Sequence, residues 1–234
     1  MKRLTTLLLA GGLATASYAQ VGDARNDIAI GGFAGVNMSS VSFKNPTIKQ
    51  GSLLGPNIGG MIRFTCEKYF TCVCAIQAEL NFSQLGWKEE IEDESGNTYN
   101  RTMQYVQVPL LARLAWGRER KGFQGYIIMG PQMGFFVSEK EHYGGDPWNP
   151  ENRRNQQYGK APDRKFDYGI SAGAGLEFSN AIGHFQLEAR YYYGLADFYD
   201  NSKRGVFGRS GHNAITFRLG YLFDLIKTKN PTIK

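Results

Sequence analysis

Once its first twenty residues are set aside, the chain has no apolar run able to cross a bilayer as a helix. Such a helix needs about 20 consecutive apolar residues. Nothing downstream approaches that length, so a helical inner-membrane protein is excluded. Histidine is scarce, with His142, His184 and His212 the whole supply. His142 and Asp146 share a segment, and Ser210 lies beside His212, but no nucleophile motif frames any of them. An enzyme is therefore not indicated, and no cofactor motif is present. Cysteine is limited to Cys66, Cys72 and Cys74. None stands directly after the N-terminal apolar stretch, where Gln20 lies, so a lipoprotein anchor is not expected. No histidine lies near the three thiols in sequence, which disfavours zinc. The positive charges are spread rather than blocked, so no nucleic-acid partner is implied. Internal repeats and low-complexity tracts are also missing, which leaves one domain without a linker.

What is present begins with an address. Lys2 and Arg3 form a short positive region, and Leu4 to Ala16 is mostly apolar but too short to span a membrane. Ser17-Tyr18-Ala19 then places small residues at the two positions a signal peptidase inspects. Residues 1–19 are read as a secretory signal peptide and 20–234 as one barrel domain. A buried N-terminal helix is the competing reading. Removing Lys2 and Arg3 takes the formal charge from +6 to +4. Glycine is abundant, at 29 of 234 residues, and aromatics reach 13 %. Glycine usage near 12 %, against a usual ~7 %, suits a β-barrel better than a helical domain.

From Ile28 onward the apolar period is two. Phe166, Tyr168, Ile170, Ala172, Ala174, Leu176 and Phe178 alternate with Asp167, Gly169, Ser171, Gly173, Gly175, Glu177 and Ser179. A period of two puts these sets on opposite faces of a strand. The same pattern predicts eight strands, at 28–38, 55–65, 73–87, 99–116, 123–138, 164–179, 184–196 and 213–224. Short connections alternate with long ones, as in up-and-down barrels of outer membranes. A soluble sheet would carry Lys, Glu, Thr and Gln on its wet face. Here the polar face is mainly Gly, Ser, Ala, Asn and Gln, which fits the crowded interior of an eight-stranded barrel. The apolar face runs about eleven residues, as from Val106 to Trp116, enough for a tilted strand to cross a bilayer. Tyr99, Trp116, Tyr126, Tyr193 and Tyr221 are candidates for interfacial girdles. The expected fold is all-β: an eight-stranded antiparallel up-and-down transmembrane barrel, in contact with outer-membrane lipid. Pro109 and Pro131 fall inside strands, where local bulges are expected.

Charges of both signs collect on the polar face: Arg63, Glu79, Arg113, Glu177, Glu188, Arg190 and Arg218. Facing inward, they must pair, because an isolated buried charge is very costly. An Arg–carboxylate network filling the lumen is the expectation, with a pore or proton path as the alternative. Tyr105, Tyr192 and Phe136 crowd the same lumen and disfavour a channel. The acidic loop Glu89, Glu90, Glu92, Asp93 and Glu94 matches no defined calcium spacing and reads as a solvated tip. His142, Tyr143, Trp148, Arg153 and Arg154 fall in the longest connection, an aromatic-plus-arginine composition common at interfaces. They mark a candidate partner loop. Cys66 and Cys72 flank a short turn in an oxidising compartment and form a candidate disulfide, with Cys74 as the alternative partner of Cys66 and one cysteine left over.

Several segments resemble the Bacteroidota outer-membrane β-barrel family often called PorT-like. They are Ile30-Gly31-Gly32-Phe33-Ala34-Gly35-Val36-Asn37, Gln77-Ala78-Glu79-Leu80-Asn81-Phe82-Ser83-Gln84-Leu85-Gly86-Trp87 and Tyr105-Val106-Gln107-Val108-Pro109-Leu110-Leu111, then Gly130-Pro131 and Gly173-Ala174-Gly175-Leu176-Glu177. The resemblance implies a small closed barrel without a catalytic motif, some of whose relatives are tied to type IX secretion and gliding. Two departures stand out. Gln107 occupies a position where the family commonly has Glu, and eleven residues follow the terminal aromatic Phe223. The function expected is a non-enzymatic structural or surface barrel acting through its outer loops. An accessory role in a secretion complex, through outer loops or periplasmic turns, is the alternative.

Overall fold

The computed structural model describes residues 23–43, 50–89, 91, 96–145, 158–199 and 209–228. The expected signal peptide lies outside the described residues. So do Trp148, Arg153 and Arg154 of the partner loop and Glu90, Glu92, Asp93 and Glu94 of the acidic loop.

Alternating side chains leave each strand with one apolar and one polar face, and a ring is the arrangement that satisfies both. The strands are β1 (Asp23–Phe43), β2 (Gln50–Tyr69), β3 (Cys72–Glu89), β4 (Thr98–Gly117), β5 (Gly122–Gly144), β6 (Phe166–Ser179), β7 (His184–Gly194) and β8 (Ser210–Ile226). Each pairs antiparallel with its sequence neighbours, and β1 closes onto β8, for example Phe33 opposite Gly220. Closure removes the unpaired edges that lipid would not tolerate. No helix occurs among the described residues.

The sidedness is inverted relative to a soluble barrel. Ile128 is 2 % exposed and Gln124 4 %, whereas Ile127 between them is 49 % exposed. Most Leu, Ile and Phe of the wall face out, while Arg63, Glu79, Gln77, Asn81 and their like are buried. A soluble barrel with an apolar interior requires the reverse. Aromatic pairs band the outer face near both ends. Phe123–Phe178 and Phe185–Tyr221 have ring centroids 4.9 and 5.1 Å apart at the tight-turn end, and Phe135–Phe166 are 5.4 Å apart at the other. Phe123 and Phe135 are twelve residues apart on β5. At ~3.4 Å per residue and a tilt of ~45°, that is roughly 29 Å, close to the apolar height of a barrel wall. Trp116 and Tyr221 contribute to the outward belts, but Tyr99 and Tyr126 do not. Both are buried, at 0 % and 3 % exposure, because they share the parity of Arg101 and Gln124 on the lumen side.

The strands differ in height. A tilted crossing needs ~9–11 residues; β7 has 11, but β1 has 21 and β5 has 23. The surplus lies on one side, so β1 to β5 rise above the outer belt while β6 and β7 end near it. His142 and Tyr143 therefore belong to β5 rather than to a loop. The opposite end gathers both ends of the chain's barrel and the tight turns, and is the periplasmic one. Its turn at 180–183 is closed by Asn180, whose Oδ1 accepts from the backbone of Ile182 and Gly183. Gly183 sits at φ 150°, and a Cβ there would come 2.4 Å from the Leu222 carbonyl oxygen.

The prolines do not cause the bulges expected of them. Pro109 faces Gln132 and Pro131 faces Ile170 with no slip of register. Each strand residue directs its N–H to one neighbour, so proline removes a single rung and the flanking rungs hold the alignment. The register shifts lie elsewhere: on β1 between Ala24 and Asp27 and between Ile28 and Ala29, on β4 between Gln104 and Tyr105, and on β2 between Ser52 and Asn57 and at Cys66.

Candidate functional site

Residues two apart on a strand share the lumen, and neighbouring strands set their side chains at one height. The structure brings all seven charged lumen candidates into two linked clusters. Glu79 on β3 receives two arginines, each bidentate. Arg190 on β7 donates at 2.9 and 3.0 Å, and Arg218 on β8 at 2.6 and 2.8 Å. The Glu188 carboxylate meets the same two guanidiniums at 2.7 and 2.9 Å and accepts the Tyr126 hydroxyl at 2.9 Å. Nearer the periplasm, Glu177 accepts from Arg63 at 2.5 Å, Arg113 at 2.9 Å and the Gln186 amide at 2.7 Å. Tyr126 couples the clusters, since Arg113 lies 4.2 Å over its ring. Planar guanidiniums that bind carboxylates two bonds at a time fix geometry as well as charge.

Both mouths carry further plugs. At the periplasmic one, Glu119 from the β4–β5 turn reaches Lys68 at 2.6 Å and Arg25 at 3.5 Å. The end of β8 is tied underneath by Asn26, which donates its backbone N–H to the Thr228 hydroxyl, and by Arg120 at the Thr228 carbonyl. Toward the outside, Tyr192 donates to Asp167 and Tyr105 meets His212 at 3.1 Å. Above them Trp87, Tyr99, Phe198 and Tyr199 pack with Phe43. Arg101 threads this layer, fully buried, paired with Glu139 and with Glu141 at 3.0 Å and donating to Tyr199 at 2.7 Å. Two lumen cavities measure about 10 and 40 Å³, room for a water or two rather than a solute.

One constellation has the elements of a hydrolase triad. His184 Nδ1 lies 2.7 Å from Ser179 Oγ, and its Nε2 lies 2.9 Å from the Asp224 carboxylate. Glu177 Oε1, however, also reaches Nδ1 at 2.9 Å. With a carboxylate at each ring nitrogen, the arrangement is complete when both nitrogens donate, which suits a charge bridge and not a general base. Ser179 is 1 % exposed, and attack on a carbonyl needs an open face with oxyanion donors. The group extends the ion network to the periplasmic rim.

The remaining candidates are placed as follows. His142 and Tyr143 stand exposed on the tall part of β5, with Tyr143 donating to Glu141 at 2.5 Å and its ring 5.4 Å from Tyr99. Above the outer belt, partial burial and that bond to Glu141 push the Tyr143 phenol up to about 12. Cys66, Cys72 and Cys74 lie unbonded around the β2–β3 turn, and the pairing expected of Cys66 and Cys72 is not the one their register favours. The register explains it: Cys72 opposes Tyr69, while Cys66 sits level with Cys74. Among the described residues, no cluster of His, Cys, Asp and Glu is arranged to hold a metal. Sequence reasoning missed Arg101, Glu139 and Glu141, although Arg101 shares the parity of Arg113. It also missed Asp224, 40 residues of chain from its partner His184.

In overall form the protein is similar to OprG from Pseudomonas aeruginosa, with 16 % identity over 86 % of this chain and 98 % of that one, at a TM-score of 0.48. It is also similar to Ail, the attachment invasion locus protein of Yersinia pestis, with 14 % identity over 86 % and 99 %, at a TM-score of 0.36. A third likeness is to the outer membrane enzyme PagL, with 11 % identity over 82 % and 97 %, at 0.42. No curated protein matches the sequence. Residues 18–200 match the family model for the outer membrane protein beta-barrel domain. The chain belongs to that family and is a protein of the bacterial outer membrane.

Proposed function

We propose that this barrel is neither a pore nor an enzyme but a structural and surface-interaction protein, exported behind a cleaved signal peptide. The observation that carries the reading is the lumen. Four guanidiniums and three carboxylates interlock across it, around cavities of about 10 and 40 Å³. A wall so braced from within leaves interaction to the tall outer rim of β1 to β5. His142 and Tyr143 stand on that rim, and Trp148, Arg153 and Arg154 follow it in sequence. Purified protein in planar bilayers should give no discrete conductance steps above the lipid baseline. Reproducible steps from wild-type protein would overturn the plugged-barrel reading.

A second reading, accessory to a type IX-like secretion complex, draws on the ordered PorT-like segments from Ile30 to Glu177. Affinity capture from solubilised membranes separates the two. A secretion accessory retains periplasmic or export components after the outer rim is trimmed by protease, whereas a surface barrel loses its partners.

A further inference from the structure

The β2–β3 hairpin carries an extra residue on one side. Thr65 faces Ala75 and Glu67 faces Cys74, so Cys66 is the inserted residue of a β-bulge. In a bulge, two residues of one strand oppose a single residue of the other. Here Cys66 and Glu67 together oppose Cys74. The outward face is common to them: Cys74 pairs laterally with Leu114 and Cys72 with Trp116, both exposed, while Val73 between them is buried. All three thiols are half-buried at the periplasmic end.

Spacing then selects the pair. Opposed residues of antiparallel strands have Cα atoms ~4.5–5.5 Å apart, inside the ~4.4–6.8 Å window a disulfide spans. Cys72 lies two residues beyond Cys74, roughly 7 Å along the strand. That puts it roughly 8–9 Å from Cys66, outside the window. Cys72 and Cys74 themselves point the same way with Cβ atoms also roughly 7 Å apart, against the ~3.5–4.5 Å a bond requires.

We propose that the mature protein carries a disulfide between Cys66 and Cys74, across the bulge, with Cys72 left as a free thiol. The oxidant is a disulfide donor of the periplasm, where such bonds form and persist. The Cys74 thiolate attacks one sulfur of the donor, forming a mixed disulfide and expelling the first donor thiolate. The Cys66 thiolate then attacks the Cys74 sulfur and expels the second. The cysteine pair loses two electrons and two protons, and the donor leaves as two thiols. The bond locks the bulge two residues before Lys68, whose ammonium meets Glu119 at 2.6 Å to close the periplasmic mouth.

The test is peptide mapping of protein from cells quenched in acid and alkylated before lysis. Cleavage after Arg63 and Lys68 isolates Cys66 from a second peptide holding both other cysteines. The two peptides should be found joined, two hydrogens lighter than their sum and separable by reductant. Because that second peptide holds two cysteines, variants decide between them. The joined species should persist in Cys72→Ser and vanish in Cys74→Ser. Three alkylated thiols in wild type, or a bond surviving Cys74→Ser and lost in Cys72→Ser, would overturn the assignment. As a control for folding, reduced and refolded Cys72→Ser protein is treated with oxidised glutathione. It should end as an internal disulfide with no retained glutathione, while Cys74→Ser should retain it as a mixed disulfide. A glutathione adduct persisting on Cys72→Ser would likewise refute the pairing.

Discussion

Replacing Glu79 with Met removes one of the two carboxylates that Arg190 and Arg218 share. It deletes four N–H···O contacts of 2.6 to 3.0 Å and leaves Arg190 and Arg218 beside each other. Charge-assisted bonds are each worth about 1.5–3 kcal/mol, but four on one carboxylate do not add. Removing one partner of a buried ion pair costs about 3–5 kcal/mol, because the other charge stays buried. Glu188 still touches both guanidiniums, at 2.7 and 2.9 Å, so the cost should fall near the lower bound, about 3 kcal/mol. That is over a hundredfold in the folded-to-unfolded ratio. A second change, Arg190→Met, supplies the sharper test. It leaves Arg218 and Glu188 as one balanced pair, and apolar replacement of an ion pair is often neutral. The double variant should therefore recover about 2 kcal/mol of what Glu79→Met lost, a coupling typical of contacting residues. Reversible urea unfolding in lipid vesicles, followed by the fluorescence of Trp87 and Trp116, measures all three. Were Glu79→Met within about 1 kcal/mol of wild type, or the double variant no better than the single, the reasoning would be refuted.

Ala174, on the outward face opposite Ile127 and Ala189, should lose roughly 2–4 kcal/mol on mutation to Arg, and less in thinner bilayers. Gly175→Ala should cost about 1–3 kcal/mol whatever the bilayer, since its Cβ would lie 2.5 Å from the Tyr126 ring. Equal dependence of both variants on lipid chain length would contradict the assigned faces. Orientation is tested in a background with the native cysteines replaced by serine. His142→Cys should react with an impermeant maleimide on intact cells and Arg118→Cys only after lysis; the opposite pattern would invert the barrel.

The alternation from Phe166 to Ser179 made strand, face and lumen membership legible without coordinates, because a pleated strand repeats every two residues. Arg63, Glu79, Arg113, Glu177, Glu188, Arg190 and Arg218 all follow from that parity. Parity also separates Tyr126 from Ile127, so the misreading of Tyr99 and Tyr126 as girdle residues weighed residue type above position. Strand ends were less legible. Polar residues such as Lys140 and His142 continue the β5 ladder above the lipid, where no apolar face is required to mark it.

The amino-acid sequence by itself determined the class of fold and which side chains share the interior, since both depend on local period and on the apolar area each strand must present to lipid. Only the tertiary structure decided who meets whom. Glu79 joins Arg218 across 139 residues of chain, a contact set by the cumulative register of strands and by closure of β1 on β8. A single inserted residue at Cys66 shifts that register by one, between Thr65 opposite Ala75 and Glu67 opposite Cys74, and leaves Cys72 opposite Tyr69. Pairing energies of one rung are small, and the alignment is settled by the whole ring at once.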